Sequence, residues 1–153
     1  MATALNMTMK LKQDAASQAK LAGLGAVFAQ KVQPAIDAAL RQSQIVHYAR
    51  VLVIDNQYIQ VITEFDGDGE VYTEFFRKAL PDVFKAIFEL VEGAPAWEEL
   101  NDRDAFHKFA QSKNLKALGS HPTDPRQGYL FAAYPDLGVK QILQRSAAAA
   151  ATH

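Results

Sequence analysis

His47 and Arg50 lie three residues apart in a run that is otherwise apolar or aromatic, Ile45-Val46-His47-Tyr48-Ala49-Arg50-Val51-Leu52-Val53-Ile54. Imidazole takes up or releases a proton near neutral pH, and a guanidinium clamps planar anions. A second apolar run, Tyr58 to Phe65, carries a carboxylate at Glu64. These residues suggest a site in which His47 transfers a proton while Arg50 and Glu64 orient or clamp the bound molecule. Tyr48, Thr63, Trp97, His121, Tyr129 and Tyr134 are the candidate ligand-lining residues, aromatic or polar groups that would hold an aromatic or apolar molecule. A structural reading of the same residues makes His47 a hydrogen-bonded core histidine and pairs Arg50 with Glu64.

Other chemistry is poorly supported. Asp66, Asp68 and Glu70 resemble the start of a calcium loop, but the glycine and glutamate such a loop requires fall on Val71 and Arg77. These carboxylates suit the start of a helix, where they complement its dipole. His47, His107 and His121 have no close metal-ligand spacing, so no metal site is expected. There are no cysteines, which excludes disulfides, thiolate metal sites and a cysteine nucleophile. No nucleotide-binding glycine loop, nucleophile elbow or zinc-protease helix occurs.

The elements that must position the candidates start with a hairpin. Ile45–Ile54 and Tyr58–Phe65 are rich in β-branched and aromatic residues, and Asp55-Asn56-Gln57 is the turn between them. A two-residue turn would set His47 opposite Asp66. A three-residue turn sets Tyr48 opposite Glu64, Arg50 opposite Ile62 and His47 opposite Phe65. The second register gathers Ile45, Ala49, Val51, Val53, Ile59, Val61, Thr63 and Phe65 on one face, and is preferred on that pattern. Its reverse face shows Tyr48, Arg50, Tyr58, Gln60 and Glu64. Strict alternation then keeps His47, Tyr48, Arg50 and Glu64 from sharing one face. Both faces of the first strand are largely apolar, which predicts that both are covered.

Before the hairpin, residues 10–31 carry apolar side chains at helical spacing, with Gly23 and Gly25 weakening the middle, and Pro34 opens a second helix. The two make an N-terminal helical arm that precedes the sheet. After the hairpin, an apolar stripe runs from Val71 to Val91 and must break or restart at Pro81. Trp97–Leu100 is a short turn, and Asp102–Ser112 a helix burying Phe106, Phe109 and Ala110. Gly128–Tyr134 predicts a last strand stopped by Pro135, with a further strand around Lys116–Gly119 and a terminal helix over Leu137–Leu143. The resulting division is a helical arm over 1–43, an α+β domain over 44–145 with an antiparallel sheet covered by helices, and a disordered tail over 146–153.

The chain has 153 residues, of which 49% are hydrophobic, and 16 basic against 17 acidic side chains leave a formal charge of -1. That balance argues against nucleic acid as a partner. No window is long and apolar enough to span a membrane and no secretory signal is evident, so a cytoplasmic protein is expected. The apolar fraction exceeds what a core of about 100 residues covers alone, which points to a partner or ligand.

The segments His47-Tyr48-Ala49-Arg50-Val51-Leu52-Val53-Ile54, Phe65-Asp66-Gly67 and Tyr134-Pro135-Asp136-Leu137-Gly138-Val139-Lys140-Gln141-Ile142 together resemble a poorly characterised bacterial family of ferredoxin-like domains. The resemblance runs from Val46 to Leu143. It implies a ferredoxin-like fold and a homodimer. Its wider fold relatives, the dimeric α+β barrels, include haem peroxidases, chlorite-dismutase-like proteins, cofactor-free monooxygenases and polyketide cyclases. The expected function is a small-molecule-binding protein, with catalysis left open, acting on an aromatic or apolar molecule and needing no cofactor. One alternative is a non-catalytic assembly protein that uses the apolar sheet face and the arm. Another is a haem-binding protein, although no helix-borne histidine has the setting of a proximal ligand.

Overall fold

Thr3–Lys10 alternates apolar and polar side chains with a period of two, and it forms a strand, β1, that buries Leu5, Met7 and Met9 on one face. The chain then turns into α1 (Ala15–Val27), capped by Asp14, whose carboxylate accepts the Ser17 N–H at 3.0 Å. A π-helical turn (Phe28–Val32) leads directly into α2 (Gln33–Ser43), which has Pro34 in its first turn. The hairpin follows as β2 (Val46–Ile54) and β3 (Tyr58–Phe65). Its turn carries Asp55 and Asn56 at positive φ, which these two short polar residues tolerate better than most, and Gln57 N–H donates to the Ile54 carbonyl at 2.9 Å. Next come α3 (Gly69–Ala79), α4 (Pro81–Phe88), the single turn α5 (Trp97–Leu100), α6 (Arg103–Ser112) and α7 (Val139–Ala151). This computed structural model describes residues 2–134 and 136–152.

The architecture is α+β. The three strands form an antiparallel sheet in the order β1-β3-β2, so β3 is central and pairs with both neighbours. The sheet's helix-facing side supplies Leu5, Met7 and Met9 from β1 and Ile59, Val61, Thr63 and Phe65 from β3. Against it pack Tyr72 and Phe76 of α3, Phe84, Ile87 and Phe88 of α4, and Phe106 and Phe109 of α6. Phe65 and Tyr72 stack with centroids 4.1 Å apart, and Phe84 meets Phe106 edge-on at 5.0 Å. Each fully buried side chain of this size contributes on the order of 2–3 kcal/mol through burial. The arm α1–α2 crosses from β1 to β2 over the same face, where Leu21 and Ala39 join the core. The break at Pro81 is a clean restart: α3 ends at Ala79, and Leu80, at φ -131°, caps α4.

Three expectations from the sequence need correction. The stretch before α1 belongs to the sheet, so β1 precedes the helices and the arm is an insertion between two strands of one sheet. Gly128–Tyr134 and Lys116–Gly119 are not strands. The free edge of β1 is instead met by residues just after α6: Thr8 N–H donates to Lys113 O at 2.9 Å and Leu115 N–H to Asn6 O at 2.9 Å. Residues 128–134 do not pair with the open edge of β2 and lie irregular beside the opposite side of the sheet. Pro135, read as the end of that strand, lies outside the described residues. The tail expected to be disordered is helical as far as Ala151, since α7 runs on through the alanines, and His153 lies outside the described residues.

Candidate functional site

The hairpin adopts the three-residue-turn register, with Tyr48 opposite Glu64, Ala49 opposite Thr63 and Arg50 opposite Ile62. It departs from that register at one residue. Val46, not His47, pairs with Phe65, so His47 is the extra residue of a β-bulge between Val46 and Tyr48. A bulge redirects a side chain relative to the alternation around it. Val46 stays on the helix-covered face and is buried, whereas His47 joins Tyr48, Arg50 and Glu64 as a lining residue of a pocket on the outer face. The rule that these four cannot share a face holds for a regular strand and fails at the bulge.

The pocket has a volume of about 500 Å³. Its floor is the sheet, and its wall is formed by the irregular residues 129–134 with Asp136 and Leu137, and includes the rings of Tyr129, Phe131 and Tyr134. Tyr129 and Phe131 meet edge-on with centroids 4.8 Å apart. Lys116 Nζ donates to Pro125 O at 2.8 Å, and Tyr129 N–H to Leu118 O at 3.1 Å, closing the loop that carries this wall. Gly128 lies so close to Ala117 that an added Cβ would collide with the Ala117 carbonyl, so only glycine allows this approach.

The polar groups of the pocket are arranged unequally. His47 Nε2 lies 2.7 Å from Asp66 Oδ1, and the His47 side chain is 7% exposed. The other carboxylate oxygen of Asp66 accepts the Val139 N–H at the start of α7, at 2.7 Å. A carboxylate at a helix N-terminus is favoured by the unpaired amides and the dipole. With Nε2–H donated to Asp66, Nδ1 is the basic nitrogen of the ring, and among the described residues it makes no hydrogen bond. Glu64 Oε1 lies 3.8 Å from Arg50 Nη1, while Glu64 Oε2 is buried and has no hydrogen-bond partner among the described residues. A buried carboxylate oxygen lacking a donor is costly and rare in folded proteins.

The remaining candidates lie elsewhere. Thr63 is on the helix-covered face beside Tyr72, whose phenol is pushed up to about 12, chiefly by burial. Trp97 packs at the rim of the core against Phe88 and Phe106, at 6.5 and 6.4 Å between centroids. His121 organises its own loop, its Nδ1 accepting the Asp124 N–H at 3.0 Å. His107 binds Thr73 Oγ1 through Nδ1 at 3.0 Å. Of the three acidic residues after β3, Asp68 caps α3, its Oδ1 accepting the Glu70 N–H at 2.7 Å, whereas Asp66 serves His47.

Asp66 was assigned to helix capping from the sequence, and its tie to His47 was visible there only in the register not preferred. Leu130 and Phe131 were also missed as lining residues, because the segment read as a strand was assigned to the sheet, and Asp136 and Leu137 because they were read as the stop after it and the start of the terminal helix. Among the described residues, no group of three or more histidine or acidic side chains is placed to hold a metal ion, and no helix is long and apolar enough to cross a membrane. Compared with protein-family models, with curated proteins and with solved structures, the chain matches none of them.

Proposed function

We propose that the outer-face pocket binds a small aromatic molecule bearing an N–H or O–H donor, and that His47, held by Asp66, is its proton-transfer group. The observation that carries this reading is the bulge at His47, which brings an oriented imidazole, a guanidinium and a carboxylate into one aromatic-walled recess. Tyr48, Tyr129, Phe131 and Tyr134 offer ring faces to an aromatic ligand. The Glu64 carboxylate lines the pocket and can accept a donor from the ligand, and Arg50 screens that carboxylate from one side. The order of groups, carboxylate then imidazole then open nitrogen, is the one by which a histidine base is fixed in tautomer and direction. A haem fits less well here: His47 is the histidine of this pocket, and its Nε2 is engaged by Asp66.

The ferredoxin-like reading belongs with this proposal. The connectivity β-α-β-β-α and the order β1-β3-β2 support it, with the short pairing at Asn114 lying where a fourth strand would run. A homodimer is supported by the outer face of β2 and β3 beyond the pocket, where Leu52 and Ile54 of the edge strand β2 and Tyr58 of the neighbouring β3 are exposed and the other edge of β2 is covered by no described strand.

Ligand-detected NMR with aryl amines, tyramine first, tests the pocket. Binding is expected to weaken at least tenfold in Glu64→Gln and in Tyr48→Ala, and to move the His47 ring resonances. Failure of the whole amine panel to perturb His47, Tyr48 and Glu64 would overturn the reading.

A further inference from the structure

The two edges of the sheet are treated differently. The edge of β1 is guarded by the residues just after α6, through Thr8 N–H to Lys113 O and Leu115 N–H to Asn6 O, both at 2.9 Å. β2 has no such guard. Among the described residues, no segment other than β3 and the hairpin turn forms a backbone hydrogen bond to it. An open edge is a template for another strand, and proteins that leave one unused break it with proline, lysine or a bulge. Beyond the bulge at His47, residues 48–54 carry none of these devices, and Arg50 is their one charge.

Both faces of this edge strand are exposed. On the outer face Tyr48 is 68% exposed and Leu52 and Ile54 are each 42% exposed. On the helix-facing side Val53, paired with buried Ile59, is 46% exposed. A body laid on the outer face alone would leave Val53 bare, whereas a strand laid along the edge covers both faces in alternation. We propose that the open edge of β2 pairs antiparallel with the β2 edge of a second copy, joining two three-stranded sheets into one of six strands, and that the partner's Ile54 closes the rim of the His47 pocket. The pairing gives the homodimer its interface; the role of Ile54 rests on the His47 pocket being a binding site.

The strand sets its own register. The regular ladder lies between the bulge at His47 and the turn at Asp55. A two-fold axis beside Val51, at the midpoint of 48–54, pairs the whole stretch: Tyr48 with Ile54, Ala49 with Val53, Arg50 with Leu52, and Val51 with its own copy. An axis at Arg50 would set like charges directly opposite, which is unfavourable. With the axis at Val51, each Arg50 meets Leu52 and keeps Glu64 of its own chain at 3.8 Å. The match is self-complementary, as a two-fold interface requires. Directly opposed residues point to the same side of a sheet, with Cβ atoms about 5 Å apart. Tyr48, a lining residue of the pocket, is therefore covered by the partner's Ile54, an aromatic and β-branched pair of the favourable kind.

Light scattering, isotope-filtered NOEs and tyramine titration test this. Wild-type protein is expected to read twice the chain mass of 16.9 kDa. Mixed labelled and unlabelled chains should give NOEs between Tyr48 and Ile54 and between Ala49 and Val53. Val53→Lys, on the helix-facing side, should read a single chain with an unchanged circular dichroism spectrum. Ile54→Ala should weaken tyramine at least fivefold, although Ile54 lies about 20 Å along the strand from Tyr48 of its own chain. A monomeric wild type, a dimer without these NOEs, or a Val53→Lys protein that stays dimeric overturns the pairing, the last pointing to packing through the outer face alone. Unchanged tyramine affinity in Ile54→Ala overturns the rim contact. Absence of tyramine binding in the wild type would strike the pocket and with it the role of Ile54, while mass and NOEs still decide the pairing.

Discussion

The Asp66 carboxylate holds His47 from the end of the neighbouring strand: Asp66 Oδ1 and His47 Nε2 lie 2.7 Å apart, and Asp66 Oδ2 accepts the Val139 N–H at 2.7 Å. One side chain therefore ties the bulge in β2, the end of β3 and the start of α7. The Asp66 N–H adds a third hydrogen bond, donating to the Ile45 carbonyl at 2.8 Å just before the bulge. The pocket floor and the helix that follows its wall are thus fixed to the same carboxylate.

Asp66→Ala removes both side-chain bonds and should destabilise the protein by about 2 kcal/mol, the scale for hydrogen bonds to a charged group. Asp66→Asn keeps an acceptor for one bond and should lose less. Urea denaturation gives the stabilities. Hydrogen exchange gives the location: amides of α7 from Val139 onward should exchange faster in the alanine variant, while those of β1 and β3 keep their protection. Equal loss of protection throughout would show that Asp66 acts on the whole fold and not on this junction.

The wall of the pocket depends on the closeness of Gly128 and Ala117. A methyl group at Gly128 meets the Ala117 backbone, and no side-chain rotation relieves that contact. Gly128→Ala should therefore displace residues 129–134 and open the pocket while leaving the helix-side core intact. Tryptophan fluorescence, which reports on Trp97 at the core rim, should be unchanged. The amide resonances of Tyr48 and Glu64 should move. Tyramine affinity should fall at least tenfold.

Much of the fold was legible because the relevant signals are local. The three-residue turn, the restart at Pro81 and the buried Phe106-Phe109-Ala110 side of α6 each depend on residues close in the chain. β1 was legible in principle, since Leu5, Met7, Met9 and Leu11 alternate with polar residues. It was missed because methionine, alanine and asparagine are weak strand formers, and pairing with β3 supplies what intrinsic preference does not. The bulge was not legible. It is set by two distant demands, Val46 packing in the core and His47 reaching Asp66, and neither leaves a pattern in ten consecutive residues. The same holds for 128–134, whose aromatic and apolar residues read as a strand but which lie over the outer face of the sheet without joining its ladder.

Because β1 is a sheet strand, its core residues should behave as core residues. Met9 is 1% exposed and pairs with Ile59 of the central strand β3. Met9→Ala should cost roughly 2–5 kcal/mol, the range for truncating a buried methionine. Thr8→Ala, on the outer face, should cost under about 1 kcal/mol. Thermal or urea denaturation of the pair checks this, and similar small losses for both would mean that the first ten residues are peripheral to the fold.

The outer face beyond the pocket gives a prediction about assembly. Leu52, Ile54 and Tyr58 are each about 40% exposed, on and beside a strand with an unpaired edge. If a second copy covers them, light scattering of the wild type reads twice the chain mass, and Leu52→Lys reads a single chain of 16.9 kDa. A wild-type protein that is monomeric at high concentration would remove the homodimer from the proposal while leaving the pocket in place.

A last prediction concerns pH and a group outside both sites. Arg77 meets Glu74 in a two-pronged pair, Nε to Oε2 and Nη2 to Oε1, both at 2.8 Å, and Lys78 approaches at 3.2 Å. The hydrogen bonds from Arg77, more than the nearby positive charge, hold the Glu74 carboxyl at about 2, below its ordinary value near 4.5. A carboxyl lowered on folding contributes stability that is fully present above its unfolded pKa and is lost as pH falls through its folded one. The contribution should thus be constant above about pH 5 and fade between about pH 4.5 and 2. Its size is limited because the pair lies near the surface, where solvent and salt screen it, so Glu74→Gln should cost about 1 kcal/mol at pH 7. Urea denaturation of the two proteins from pH 7 to pH 3 should show this difference shrinking as the pH falls. A gap that stayed constant down to pH 3 would mean that Glu74 stabilises α3 through packing of its side chain, with no part played by its charge.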